Sequence, residues 1–225
     1  MISCISSLLG VKPGVTAIIG GGGKTTLMYA LAEELSPSGL VIICTSTRIM
    51  KPGDIPVCSG YDGEELRKEL LCSPVVCVGT DCGDGKLKAP GCTFESLIPL
   101  ARYILVEADG SKGLPMKAHA PGEPVIPDVA GMTVLVIGAA GFGRTIRSAA
   151  HRPEIYARLA GAGLDDVLTP EHAAKVALAE NLHNCVFVNQ AEPEASLADA
   201  RSLQALLDCP LTAGSLHKRE YMCLY

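Results

Sequence analysis

Residues 20–26 read Gly-Gly-Gly-Gly-Lys-Thr-Thr, an order of residue types suited to binding phosphate. Consecutive glycines let the backbone curl with its N–H groups inward, and no Cβ stands between them and an oxyanion. A lysine after the curl neutralises β- and γ-phosphates, and the hydroxyl that follows ligates Mg²⁺. In this reading Gly20, Gly21, Gly22 and Gly23 are the cradle, Lys24 is the charge, Thr25 is the metal ligand and Thr26 stands beside it. The common phosphate-loop pattern would place a glycine where this chain has Ile18. The match is therefore to the shorter G-x-x-G-K-T-T form, with Gly20 and Gly23 in its fixed places and Ile18 as the last inward residue of a strand. The alternative is a glycine-rich turn followed by an incidental Lys-Thr.

A nucleotide–Mg²⁺ site also needs a carboxylate from the end of a neighbouring strand. The run Tyr-Ile-Leu-Val-Glu-Ala-Asp-Gly, 103–110, offers Glu107 to hold Mg²⁺ and Asp109 to orient water or sense a γ-phosphate. Two solvated carboxylates in a turn are the alternative. The spacing Glu107-x-x-Gly110 resembles the E-x-x-G form of the metal-trafficking GTPases, in which the glycine N–H approaches the γ-phosphate. For the base, Asn189-Gln190-Ala191-Glu192 is a softened N-K-x-D, with Asn189 and Glu192 as its guanine contacts. A polar loop after a strand would read the same way. Thr45, Ser46 and Thr47 end another strand and either touch Mg²⁺ or cap a turn.

These residues need a scaffold, and apolar runs alternate with helical ones along the chain. Strands are expected at 14–20, 39–45, 74–79, 102–107, 132–138, 185–189 and 210–214. Helices are expected at 24–35, 62–71, 93–101, near 153–163, 169–180 and 194–207, and 80–92 as a loop or small hairpin. In the helix at 62–71, Asp62 is the N-cap and Leu66, Leu70 and Leu71 share a face; Thr169 caps the helix that Pro170 begins. This rhythm predicts an α/β fold: three layers, a mostly parallel sheet with helices on both faces, and one domain over 1–225. The stretch 108–131 is long for a structureless loop and starts at the proposed γ-phosphate sensor, which makes it a candidate switch.

Composition narrows the functional classes. The 225 residues are 48% hydrophobic and 4% aromatic without tryptophan, so the core is aliphatic. A net charge of −5 provides no footprint for nucleic acid, and no run is long enough to span a membrane. The N-terminus lacks a signal-peptide pattern, and the expected location is the cytoplasm. Ten cysteines never form C-x-x-C, and the group from Cys58 to Cys92 holds no histidine, so buried thiols are favoured over a metal or disulfide framework. Gly-Ala-Ala-Gly-Phe-Gly, 138–143, has the wrong glycine order for a dinucleotide fingerprint. Arg144, Arg147 and Arg152 read as a solvated face rather than an anion clamp, and His119 is a lone loop histidine.

Taken together, Gly-Gly-Gly-Gly-Lys-Thr-Thr-Leu-Met (20–28), Thr-Ser-Thr-Arg-Ile (45–49), the segment 106–127 and His-Arg-Pro-Glu (151–154) resemble the YqeC family, accessory proteins of selenium-dependent molybdenum hydroxylases. The resemblance implies a P-loop NTPase-like fold and a role in maturing a selenium-containing molybdenum cofactor. It also implies partners among the maturation factors or the hydroxylase itself, and Lys24, Thr25, Glu107 and Asp109 match its motif. The expected function is a slow Mg²⁺-dependent NTPase, GTP favoured over ATP. The alternatives are an ATP-dependent ligase or kinase-like activator, and a chaperone that binds nucleotide only as a switch and uses the Cys58–Cys92 cluster as a soft-ligand site. GTPases of this kind often form homodimers across the nucleotide face.

Overall fold

Buried aliphatic residues alternate between two faces of one sheet, and that alternation builds the core. The computed structural model describes residues 4–192 and 194–224. Helix α1 (Ile5–Leu8) leads to β1 (Gly14–Gly20), whose end turns into α2 (Lys24–Leu35). Next come β2 (Val41–Thr45), β3 (Arg48–Met50), β4 (Val57–Ser59), α3 (Gly63–Cys72), β5 (Val75–Asp81) and β6 (Lys86–Lys88). Then follow β7 (Tyr103–Glu107), β8 (Met116–Lys117), β9 (Ala130–Gly138), α4 (Ile146–Ala149), β10 (Ala150–His151), α5 (Pro153–Ala160) and α6 (Pro170–Glu180). The last are β11 (Cys185–Asn189), α7 (Glu194–Gln204), β12 (Leu211–Ser215) and β13 (Glu220–Leu224).

The sheet runs β13-β12-β11-β9-β1-β7-β2-β5-β6-β3, with β4 beside β5. From β12 to β5 every neighbour is parallel, while β13, β6 and β3 join antiparallel. In β1, Ile18 packs toward α1 and α2, whereas Ala17 and Ile19 face the layer of α5, α6 and α7. Phe187 in β11 and Leu105 in β7 join Ile18; Val186 and Val188 join Ile19. Beyond β7 the second face is closed by α3, through Leu66 and Leu70, and by Leu97 and Leu100. This is a three-layer α/β arrangement, and strands buried on both faces explain their unbroken Val/Ile runs.

Several local expectations change. Asp62 does cap α3, accepting from Glu64 and Glu65 N–H groups at 2.8 and 3.3 Å, but Leu71 is 86% exposed. Five positions after Leu66, it has rotated off the buried stripe of a 3.6-residue helix. Residues 93–101 form only a 3₁₀ turn, Phe94–Leu97. The antiparallel β13 was not expected, and 80–92 does become a small hairpin through β6. The stretch 108–131 is not structureless: β8 pairs in parallel with β10, and Val125 N–H bonds Ala108 O. Among the described residues, no helix is long and apolar enough to cross a membrane.

Candidate functional site

The glycine run sits where β1 ends between β7 and β9, and surrounding backbone comes too close for any side chain. A Cβ on Gly21 would lie 2.6 Å from Leu114 O, and one on Gly22 2.4 Å from Gly138 Cα. Gly23 has φ +125°, and its Cβ would meet Asn189 Nδ2 at 2.6 Å. The first three N–H groups of the run are used inside the protein. Gly20 donates to Asp109 Oδ2 (2.9 Å), Gly21 to Val136 O (2.9 Å) and Gly22 to Leu114 O (3.0 Å). The donors that face outward are those of Gly23, Lys24, Thr25 and Thr26, the open end of α2 with its partial positive charge.

Lys24 is 3% exposed. Its ammonium donates to Gly20 O (2.8 Å) and Ser111 Oγ (3.2 Å) and lies 3.1 Å from Asp109 Oδ1 and 3.8 Å from Glu107 Oε1. The Asp109 contact is an ion pair without hydrogen-bond alignment, since Oδ1 has no hydrogen-bond partner. Thr25 Oγ1 donates to Glu107 Oε2 at 2.6 Å, which puts a hydroxyl from the start of α2 beside a carboxylate from the end of β7. Burial pushes the Glu107 carboxyl up, with Lys24 and the Thr25 bond opposing. Thr45 Oγ1 donates to Glu107 O (2.8 Å) and accepts from Thr47 N–H (3.0 Å), so this hydroxyl caps the strand end, while Ser46 Oγ is buried without a partner.

Asp109 is fully buried, at the centre of a charge network that the sequence did not reveal. His119 Nε2 lies 2.6 Å from Asp109 Oδ2, and His119 Nδ1 lies 2.8 Å from Glu180 Oε2 at the end of α6. Lys117, with a buried side chain, donates to Gly110 O (2.6 Å) and pairs with Asp109 (3.6 Å) and Glu123 (3.3 Å). Arg152 grips Glu123 with two bonds at 2.6 and 3.0 Å. Burial alone would raise the Asp109 pKa; the His119 bond, Lys24, Lys117 and the Gly20 N–H outweigh it and hold it at about 2. Burial likewise opposes charge on His119, but the bonds to Asp109 and Glu180 prevail and raise its pKa. Arg147 pairs with Asp165 on the surface, so neither Arg147 nor Arg152 is a free clamp.

On the other side of β1, Asn189 joins two loops. Its Nδ2 donates to Gly22 O (2.7 Å), and its Oδ1 accepts from Leu216 N–H (3.1 Å). Glu192 is exposed, and its Oε1 accepts from the Ser215 hydroxyl in a short bond. Beside it is a recess of about 200 Å³ lined by Ala191, Leu197, Ser215 and Tyr221 among others.

A larger cleft, about 570 Å³, opens over Gly23–Thr26, Glu107 and the turn Gly110–Gly113, and continues to Arg48, Met50 and Lys86. The structure thus gathers Lys24, Thr25, Thr26, Glu107 and Gly110 at one cleft, buries Asp109 beneath it, and sets Asn189 and Glu192 to one side. Among the described residues, no three of His, Cys, Asp or Glu are grouped to hold a metal ion, and Cys58 and Cys77 are core residues while Cys72 is exposed. Leu114 O, Ser111 and Glu180 were missed because their roles depend on contacts distant in sequence. A signal for Lys117 and His119 existed only as polar residues at every second position, Lys117 and His119, in an otherwise apolar run.

The YqeC protein family matches residues 16–154, a span that takes in the glycine run, Glu107, Asp109 and Arg152 but not Asn189 or Glu192. The chain is 33% identical over 168 residues to the uncharacterized protein YqeC of Escherichia coli (strain K12). The aligned part covers 71% of this chain and 63% of that protein, so the chain spans less than two thirds of the length of the curated relative. The chain belongs to the YqeC family.

Proposed function

We propose that this YqeC-family chain binds a nucleoside triphosphate with Mg²⁺ and hydrolyses it slowly, taking GTP in preference to ATP, to serve the maturation of selenium-dependent molybdenum hydroxylases. The observation that carries the nucleotide reading is the juxtaposition at the head of α2. Four outward N–H donors, a lysine ammonium and a hydroxyl–carboxylate pair 2.6 Å apart face one cleft. Anions favour such a helix start, and Lys24 supplies a full charge to phosphate oxygens. To do so it exchanges its contacts with Gly20 O and Ser111 for the phosphate.

Thr25 and Glu107 are hard oxygen donors and suit Mg²⁺, which takes few protein ligands and fills its shell with phosphate and water. Bound there, the ion would neutralise charge on the transferred phosphoryl group. Asp109 holds Lys24 and the Gly20 N–H in place from below, and Gly110 and Ser111, which line the cleft beside Lys24, are where a terminal phosphate would come. The guanine preference rests on Glu192, whose carboxylate is oriented by Ser215 beside a recess and can accept from N1–H and the 2-amino group. The maturation role rests on the family resemblance.

The deciding experiment measures binding and turnover of GTP and ATP with Mg²⁺, for wild type and Lys24→Ala. Loss of a charge-assisted phosphate contact should weaken GTP binding by roughly tenfold or more. Undiminished binding in Lys24→Ala would end the phosphate-loop assignment. Tight binding without turnover would select the switch-type chaperone, and ATP preference would remove the base assignment to Glu192. A second reading, activation of another substrate by ATP or GTP, is favoured by one observation, the cationic far wall of the cleft.

A further inference from the structure

The nucleotide reading gives the cleft a direction. Asn189 and Glu192 belong to β11 and its following loop, Lys24 and Thr25 follow β1, and Glu107 ends β7. In the order β11-β9-β1-β7-β2-β5, a nucleotide with its base over β11 points its terminal phosphate toward β7 and β2. With strands about 4.8 Å apart, β2 and β5 lie roughly 10 and 14 Å beyond β1. The cleft continues on that side, where Arg48, Lys86 and Lys112 line it.

These cations are not balanced by the protein. Among the described residues, none of the three forms an ion pair. Ile49 and Leu87 are paired and buried between β3 and β6, so Arg48, Lys86 and Lys88 share the opposite face. Arg48 stands directly across from Lys88, a like-charge pair that destabilises a sheet. Lys112 approaches from the turn after β7 with φ +51°, an uncommon backbone state outside glycine. Arg48 and Lys112 are exposed and solvated, but Glu107 is the one carboxylate among the residues lining the cleft, so the far wall is net positive and favours an anion in the space it faces. The nucleotide's own phosphates already have the α2 donors and Lys24.

We infer that the cleft beyond the terminal phosphate binds a second, small oxyanion substrate, held by Arg48, Lys86 and Lys112. This rests on the nucleotide reading, since the direction of the cleft is set by it. The site makes the chain a two-substrate protein: nucleotide at α2, carboxylate or phosphate ester against the β3–β6 hairpin.

The test uses the full chain saturated with Mg²⁺ and a non-hydrolysable GTP analogue, titrated by calorimetry with inorganic phosphate in one arm and malonate in the other. At least one should bind saturably, and the tighter arm identifies phosphate or carboxylate chemistry. In Arg48→Ala/Lys86→Ala that binding should weaken by about tenfold or more, while analogue affinity changes by less than about twofold. Lys112→Ala, on an exposed turn, gives a second variant should the hairpin variant fail to fold, and it should weaken oxyanion binding in the same sense. No binding of either oxyanion to the analogue-loaded wild type overturns the inference and leaves the nucleotide reading standing. So does a loss of analogue affinity in step with the hairpin substitutions, which would assign these cations to the nucleotide's phosphates. Failure of the wild type to bind the analogue at all overturns both.

Discussion

His119 shows how one side chain can set the state of its surroundings. Its two ring nitrogens face Asp109 and Glu180 oxygens at 2.6 and 2.8 Å, and only the imidazolium donates to both. The charged form is therefore part of the folded structure, consistent with a pKa raised despite burial. A raised folded value means this contribution is complete below about pH 6.5, the unfolded value, and is lost as pH rises through the folded one. Urea denaturation of wild type and His119→Gln from about pH 5.5 to 9 should show a stability difference that narrows as pH rises. A difference that stays constant over that range would mean the ring titrates alike in the folded and unfolded protein, and one that widens as pH rises would mean a ring held neutral in the fold.

At the level of elements, the glycine run has a packing role that stands independently of the proposed phosphate chemistry. Gly22 has φ +80° and backbone 2.4 Å from where a Cβ would stand, whereas a Cβ on Gly110 would meet nothing within 4 Å. Gly22→Ala should cost about 3 kcal/mol of stability through strain and overpacking, and Gly110→Ala within about 0.5 kcal/mol. Equal denaturation midpoints for the two variants would remove the packing argument. This contrast marks what was legible in sequence. The run itself, the order strand–loop–helix, and Glu107 at a strand end could be read because apolar period and glycine content are local. The backbone of Leu114 and Pro115, 2.6 and 2.9 Å from where a Gly21 Cβ would stand, could not, since nothing local says that a Pro/Gly-rich segment folds back over a loop. The strands β3 and β6 have three residues each, too few to display a period of two. Asp109 reads as a loop carboxylate by its neighbours, and its burial is produced by Lys117 and His119, which follow in the same segment.

Across the whole molecule, Asn189 at the end of β11 links loops that follow two other strands, β1 and β12. Its amide ties Gly22 on one side to Leu216 on the other, so the glycine run and the loops beyond β11 and β12 are positioned by one side chain. Asn189→Ala leaves both backbone groups unpaired and should lower GTP and ATP affinity alike, by about tenfold. Pyrophosphate should lose affinity to a similar degree, because the side chain holds the loop rather than the base; a loss for GTP with pyrophosphate binding intact would assign Asn189 to the base instead. The central place of β1 has a further consequence, for how the chain is made. β1 emerges early from the ribosome, yet its partners are β7 and β9, and the Asn189 bond to Gly22 spans 167 positions. At about 5–20 residues per second, the interval between synthesis of Gly22 and of Asn189 is on the order of ten to thirty seconds. The backbone walls on the run, from Leu114 to Gly138, are made before that interval ends, but the Asn189 bond to Gly22 O is not, so the glycine run of a nascent chain reaches its final geometry only after β11 has been translated and has left the exit tunnel.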